Sequence, residues 1–399
     1  MMKNSKSNKN DSNRLTIATL IIRGLLAKRT DNPDIPFEPV ILETLTSAEA
    51  VAFSASAENA QSQTYPSPLV RSSEPPLFVD TEECSADPEK MRSKLSEEMS
   101  AYSRKYDCEP EVVCLSGLGI VYVDGERSDL ELPLRNKVAL VTGAAGAIGY
   151  GICQGLLEKG CYLAATDLEG ERLDRLGSDL MEIAEDRVMS VAIDVTDKNS
   201  VVEGFASVIA KWGGVDIVIV NAGIPLVSPL IDIDLESFRK LEKVNVEGAL
   251  LTLSEAGRLF IVQGTGGDIV VVSTKNVPSP GAGFGAYSVT KAACHQLGRI
   301  ASIELAQYGV RVNMVAPDAV FPEGQFKSGL WEAIGPDRMR ARGLDEEGLH
   351  EYYRSRNLLK ARVTGRHVAN AVLFFVTRQT PTTGATIPVD GGLPDATPR

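Results

Sequence analysis

The sequence predicts an α/β protein: a doubly wound, parallel, seven-stranded sheet with a smaller α+β region ahead of it. Three observations lead there. After residue 137, seven short runs rich in Val, Ile and Ala alternate with longer segments of helical spacing. Nearly continuous apolar strands separated by helices mean a parallel sheet covered on both faces. The first run ends in a glycine-rich turn that opens a helix, and the second ends in an acid. Upstream of about residue 130 the alternation is absent.

The elements follow in order. Residues 1–14 are rich in Asn, Lys and Ser, the composition of a disordered tail. From Arg14 to about Lys28 the apolar spacing suits a helix, and "SAEAVAFSAS" suggests another short one. Residues 60–80, punctuated by Ser, Pro and Gln, read mostly as loop. "PEKMRSKLSEEMSAYSRKY" has helical charge patterning, and "EVVCLSGLGIVYVDG" reads as two short strands around Gly117 and Gly119. The charged, proline-bearing "ERSDLELPLRNK" marks a boundary, giving an N-terminal region at 15–130 and a second domain at 131–399. The seven predicted strands of that domain are "VALVTG" (138–143), "YLAATD" (162–167), "VMSVAID" (188–194), "VDIVIVNAG" (215–223), "GDIVVVS" (267–273), "VRVNMVAP" (310–317) and "TGATIPVDGG" (383–392).

Composition narrows the function. The chain has 399 residues, 43% of them hydrophobic, enough for a sizeable core. A formal net charge of −12 argues against nucleic acid or an anionic membrane surface as partner, because both call for clustered Lys and Arg. Six cysteines without Cys-x-x-Cys spacing suit a reduced, cytoplasmic setting. The three histidines, His295, His350 and His367, share no helical face at i, i+4, so no metal site is expected. No apolar run reaches the roughly 18–20 residues of a membrane span. "LTIATLII" imitates a short signal core, but Arg23 interrupts it and no small-residue cleavage site follows closely.

Four constellations carry chemistry. In "TGAAGAIG" (142–149), Gly143, Gly146, Ala147, Ile148 and Gly149 form a turn at a helix mouth. There the backbone can approach a pyrophosphate and the helix N-terminus supplies N–H donors. Asp167 ends the second strand, 18 residues beyond Gly149. A carboxylate there bonds both ribose hydroxyls and repels a 2′-phosphate, favouring NAD over NADP; the alternative is a solvated turn aspartate. "NAG" (Asn221, Ala222, Gly223) closes the fourth strand, and "NVEG", with Asn245, lies inside the next helix. Asn and Gly in those settings go against propensity, as residues at functional sites do. The competing account of Asn245 is a buried residue bonding back to its own helix.

The fourth is "STKNVPSPGAGFGAYSVTK" (273–291), a loop running into a helix that carries Tyr287 and Lys291 at i, i+4, with Thr274 thirteen residues before the tyrosine. Making a phenol a base at neutral pH takes about 4 kcal/mol, roughly what an ammonium about 4 Å away supplies at an effective dielectric of 20. A hydroxyl nearby can hold a substrate oxygen against the phenol. The set suits moving a proton while a hydride moves to or from a nicotinamide.

Across roughly 133–399 the chain resembles the short-chain dehydrogenase/reductases, through "TGAAGAIG", Asp167, "IDV" (193–195), "NAG", "NVEG", "YSVTK" and "TGATIPVDGG". The resemblance implies a Rossmann fold and a tyrosine acid/base, Tyr287. It implies that Lys291 binds the nicotinamide ribose, that Thr274 orients the substrate, and that Asn245 holds a relay water. Asp194 and Val195 match the adenine-contacting pair, and Pro317 belongs to the cofactor set. Family members usually form tetramers through the helix bearing the tyrosine, so a homo-oligomer, tetramer or dimer, is expected. Three departures stand out. Ala147 replaces the middle glycine, Val220 the first asparagine of "NNAG", and Thr274 the usual serine, with χ1 restricted by its β-methyl. Ser273 is the fallback hydroxyl, although strand alternation points it to the other face.

A narrower resemblance, carried by "STKN", "PGAGFGAY", "APDAVF" and "SGLWEAIGPDRMRARGL", is to the dehydrogenase half of bifunctional class II aldolase/short-chain dehydrogenases of rhamnose-type sugar catabolism. Residues about 15–125 resemble the stretch linking the two halves, and the aldolase's histidine ligands have no counterpart. It implies no aldol cleavage and an oxygen-rich substrate smaller than a steroid. The segment 318–360 takes the place of the substrate lid. There Trp331, with Phe321, Phe326 and Leu330, is expected as an apolar wall or else as plain core, and Lys275, Asn276 and Arg338 as partners of hydroxyls or a phosphate or else as a solvated face. Against an NAD-dependent dehydrogenase of an alcohol, sugar or small hydroxyaldehyde stands a second reading: a dinucleotide-binding regulator with little catalysis. Either is compatible with an N-terminal region that serves oligomerisation or docking.

Overall fold

The structure, a computed structural model, describes residues 2–60, 65–124, 132–322 and 329–393. The boundary expected at 130/131 lies outside the described residues. The chain divides into two compact units. One falls within Met1–Asp129, Phe205–Val215 and Leu259–Thr265, the other within Leu130–Gly204, Asp216–Arg258 and Gly266–Arg399.

The first unit packs helices on a four-stranded sheet. Helix α1 (Met2–Leu26) runs back through the segment read from composition as a disordered tail. Its apolar face of Ala18, Ile21 and Ile22 is buried, and no Gly or Pro before Gly24 stops the helix from extending outward. Strand β1 (Leu42–Leu45), helix α2 (Ala48–Phe53) and strand β2 (Leu77–Val79) follow. Helix α3 (Pro88–Tyr106) starts where Asp87 accepts from the amides of Glu89 and Lys90, with Pro88 at its first turn. Its buried Met91, Leu95, Met99 and Tyr102 recur at helical spacing. Strands β3 (Val112–Leu115) and β4 (Gly119–Val123) complete the sheet in the order β1-β4-β3-β2, with β2 and β3 parallel. Strand β2 falls in the stretch expected to be mostly loop; three residues are too few to show alternation.

In the second unit the seven predicted runs form one parallel sheet. The strands are β5 (Val138–Thr142), β6 (Tyr162–Asp167), β7 (Val188–Ala192), β8 (Ile217–Val220), β9 (Gly267–Val272), β10 (Val310–Pro317) and β11 (Thr386–Val389). Their order is β11-β10-β9-β8-β5-β6-β7. The order reverses between β5 and β8, and in such sheets ligands bind beyond the carboxyl ends of the strands at that switch. The helices that matter for the site are α4 (Ala147–Glu158), α5 (Glu171–Met181), α6 (Lys198–Trp212), α7 (Leu235–Glu242), α8 (Gly248–Gln263), α9 (Gly285–Glu304), α10 (Gly329–Arg342), α11 (Glu346–Ser355) and α12 (Gly365–Val376). Helices α4 and α12 share the main core, with Ile152, Leu156, Val368 and Val372 buried. They approach closely enough that a Cβ added at Gly365 would stand 2.2 Å from the carbonyl oxygen of Ala147. This contact fixes the mouth of α4 beside the switch point.

Candidate active site

The glycine turn after β5 is braced from β8. Gly143 has φ +63°, and a Cβ there would lie 2.7 Å from Ala222 Cα. A Cβ at Gly149 would lie 2.5 Å from the carbonyl oxygen of Gly143, whereas at Gly146 nothing lies nearer than 3.9 Å. Ala147, standing at the expected middle-glycine position, is the first residue of α4, and its methyl is buried among its neighbours. Asn221 Nδ2 donates to the carbonyl oxygens of Thr142 (2.9 Å) and Gly143 (2.8 Å). The Asn221 amide donates to Thr142 Oγ1 at 3.0 Å. Asn221 therefore locks the turn through its side chain, and Thr142 is a partner that the sequence reading left out. Asp167 accepts the Ala145 amide on Oδ2 and the Leu168 amide on Oδ1, each at 2.9 Å. Asp194 Oδ1 accepts from the amide and hydroxyl of Thr196, and Val195 is buried beside it.

Tyr287 and Lys291, both buried, lie on α9. Lys291 Nζ donates to the carbonyl oxygen of Val272 at 2.9 Å. Asn245 sits in a π-helical turn, Lys243–Glu247, between α7 and α8. Its Oδ1 accepts the Ile224 amide (2.8 Å), and its Nδ2 donates to the Ile224 carbonyl (3.0 Å) and to Thr290 Oγ1 (3.1 Å). Thr290 donates in turn to the carbonyl oxygen of Tyr287. Asn245 does not bond back to its own helix. It ties β8's exit to the helix of the tyrosine, and such π-turns concentrate at functional sites. A Cβ on Gly223 would stand 3.1 Å from Asn245 Oδ1 and 3.3 Å from Lys291 Nζ, so both groups converge on that glycine. Thr274 Oγ1 accepts the Asn276 amide at 3.3 Å. Ser273 pairs with His295 Nδ1 at 2.9 Å on the other side, as strand alternation requires.

One cleft of about 880 Å³ is lined by the glycine turn, Ile148, Asp167, Asp194, Val195, Asn221, Ala222, Gly223, Thr274, Tyr287, Lys291 and Pro317. Lys275 and Asn276 line it too. Burial holds the Lys275 ammonium below the ordinary lysine value, with nearby Asp318 opposing. Trp331, expected against the substrate, is absent from this lining. Its indole N–H donates to the carbonyl oxygen of Val320 at 2.7 Å, and its ring packs on Phe321, His350 and Tyr353. It anchors the lid instead, because a large ring gains most where aromatic neighbours surround it. Phe326 and the side chain of Leu330 lie outside the described residues. The lid brings Arg338, Arg342, Tyr352, Tyr353 and Arg356 to the cleft wall. Of these the sequence reading named only Arg338; Arg342, one turn further on, was the available signal. Among the described residues no three His, Cys, Asp or Glu groups gather as metal ligands, and no helix is long and apolar enough to cross a membrane.

A doubly wound sheet with a glycine turn at its switch point and a cleft beyond the strand ends is the architecture of dinucleotide-binding α/β proteins. The chain belongs to the short-chain dehydrogenase/reductase family and is an oxidoreductase. The family model described as short chain dehydrogenase matches residues 137–331. An uncharacterized oxidoreductase, YuxG, of Bacillus subtilis is 33% identical over 271 residues, which cover 67% of this chain and 39% of that protein. L-2,3-butanediol dehydrogenase of Corynebacterium glutamicum is 32% identical over 65% of this chain and 98% of its own. The crystal structure of sorbitol-6-phosphate 2-dehydrogenase from Erwinia amylovora superposes with a TM-score of 0.59 at 26% identity, over 64% of this chain and 98% of that one. The family implies an NAD(P) cofactor. The turn fits one: Gly143 and Gly149 let it close tightly on its own backbone, and Gly146, on the cleft, has nothing nearer than 3.9 Å to an added Cβ.

Proposed function

We propose that the protein is an NAD-dependent oxidoreductase that interconverts an alcohol and a carbonyl on a sugar, polyol or small hydroxyaldehyde, with Tyr287 as acid/base. The convergence of Lys291 and Asn245 on Gly223, in the cleft that Tyr287 and the glycine turn also line, carries this reading. Gly143, Gly146, Ala147, Ile148 and Gly149 would hold the cofactor's pyrophosphate, Asp167 its adenosine ribose, and Asp194 and Val195 its adenine. Asn221, Ala222, Gly223 and Pro317 would flank the rest. Bound there, the nicotinamide would supply or accept the hydride. Lys291 would hold the nicotinamide ribose and bring its positive charge toward the phenol. Thr274, whose hydroxyl keeps its proton free while accepting from Asn276, would hold the substrate oxygen. Tyr287 would give or take the proton at that oxygen. Asn245 would act as positioning residue for β8's exit and for a relay water.

Asp167 supports NAD, since both carboxylate oxygens are already fixed by backbone amides and a 2′-phosphate would meet a fixed negative charge. The relatives' names agree in reaction class: one acts on butanediol and one on a sugar alcohol phosphate. We place the chain with the dehydrogenase half of the bifunctional aldolase/dehydrogenases; metal-dependent cleavage of a ketose 1-phosphate by pure protein would contradict that. Six free cysteines, five of them buried, support a reducing cytoplasmic setting, which cell fractionation would check. We also propose a homo-oligomer built through α9, whose Val289, Ile300 and Ile303 are exposed; light scattering at the monomer mass would contradict it. The test of function is a turnover screen on rhamnose, fucose, lactaldehyde and related polyols with NAD⁺ and NADP⁺, following absorbance of the reduced cofactor. Turnover with NAD⁺ ahead of NADP⁺ is expected. Cofactor binding with no turnover on any of them would favour the regulator reading.

A further inference from the structure

The wall of the cleft beside Lys275 carries more positive charge than proton transfer at Tyr287 uses. Lys275, Arg338, Arg342 and Arg356 line it together with one lid-side carboxylate, Asp318. Arg356 pairs with Asp318, and its guanidinium lies 4.4 Å from the centre of the Tyr353 ring. Arg342 donates to Tyr352 Oη at 3.1 Å and stacks on the same ring at 4.4 Å. Arg338 stacks on Phe284 at 4.4 Å and pairs with no carboxylate among the described residues. Three polar atoms here are buried without a hydrogen-bond partner: Nε of Arg338, Nε of Arg356 and Oδ1 of Asn276. Asn276 itself is only 6% exposed.

Buried donors and acceptors are normally paired, so three orphans on residues of one wall ask for a ligand with two acceptors and one donor. A ring under each guanidinium limits its motion, and Arg338, paired with no carboxylate among the described residues, keeps an edge for an oxyanion. Four cations against one carboxylate suit a dianion better than a monoanion. The amide oxygen of Asn276 suits a hydroxyl.

We propose that the substrate is a phosphorylated polyol, sugar or hydroxyaldehyde, its phosphate monoester held by Arg338, Arg356 and Lys275 and a hydroxyl held by Asn276. The proposal rests on the reading that places the reacting carbon beside Tyr287 in this cleft.

The full chain is assayed with paired substrates: a hexitol against its 6-phosphate, glyceraldehyde against its 3-phosphate, and gluconate as a carboxylate control. The phosphorylated member is expected to lead in kcat/KM by about 100-fold. In Arg338→Gln that lead shrinks by about tenfold, through KM rather than kcat, and Arg338→Lys restores part of it. Neutral members turned over as well as their phosphates would overturn the proposal, as would a preference for gluconate. Binding of inorganic phosphate, measured by calorimetry, needs no turnover. Saturable binding that Arg338→Gln weakens about tenfold is expected. A protein that binds NADH and not phosphate would overturn the phosphate site alone. Phosphate binding in a protein inert toward every substrate would leave the site standing and contradict the acid/base reading.

Discussion

Asn245 shows how much one side chain organises. Its amide satisfies both backbone groups of Ile224 and reaches Thr290, which is bonded to the backbone of Tyr287. Asn245→Leu would strand those groups in a buried site, so a loss of about 2–3 kcal/mol in unfolding free energy is expected, measurable by urea denaturation. Its position against helix propensity was visible in the sequence; its partners, 21 and 45 residues away, were not. Asp167 would carry the proposed cofactor preference. Asp167→Ala is expected to raise KM for NAD⁺ by about tenfold and to narrow the gap to NADP⁺; an unchanged ratio would contradict its role. His295 gives a pH signature. Burial, aided by Arg299, holds its imidazole below the ordinary histidine value. The folded state then favours the neutral ring, so its contribution to stability is complete above about pH 6.5 and is lost as pH falls through the lowered value. Urea midpoints measured between pH 7.5 and 5 are expected to fall less steeply in His295→Gln than in the natural chain.

Among elements, the crossing of α4 and α12 braces the helix that opens at the glycine turn. Gly151 and Gly365 let the two backbones meet, and a Cβ at Gly151 would stand 2.4 Å from the Gly365 carbonyl carbon. Gly365→Ala is expected to cost about 1–3 kcal/mol by overpacking and to weaken NADH binding, since it presses on the carbonyl of Ala147. A stable variant with unchanged NADH affinity would show that the crossing does not set the turn. The central strands of the large sheet were legible because burial on both faces makes their runs largely apolar, whereas the edge strands β7 and β11 are partly exposed. Leu42–Leu45 and Leu77–Val79 escaped notice because they are short and pair with strands far along the chain. The lid was half legible: the resemblance gave its place at 318–360 and Arg338 as an expected substrate partner, while its helices were not read. Which face its arginines present depends on the fold of α10 against α11. The sequence left Trp331 between wall and core because Phe321, His350 and Tyr353, which enclose it, come together only in the folded lid.

For the whole molecule, an overall charge of −12 surrounds a cleft wall carrying Lys275, Arg338, Arg342 and Arg356. Such a local reversal of sign concentrates anions at the cleft and weakens as salt rises. The architecture then assigns separate tasks: the sheet's switch point would seat the cofactor, α9 the proton donor, and the lid the rest of the substrate. The central claim is that Tyr287 carries the proton in this arrangement. It is tested most directly by comparing the natural chain with Tyr287→Phe on one substrate, with NADH affinity measured in parallel. The account predicts that kcat/KM falls by about 10²–10⁴-fold while NADH affinity stays within about threefold. A variant that turns over at the natural rate, with cofactor binding intact, would contradict it.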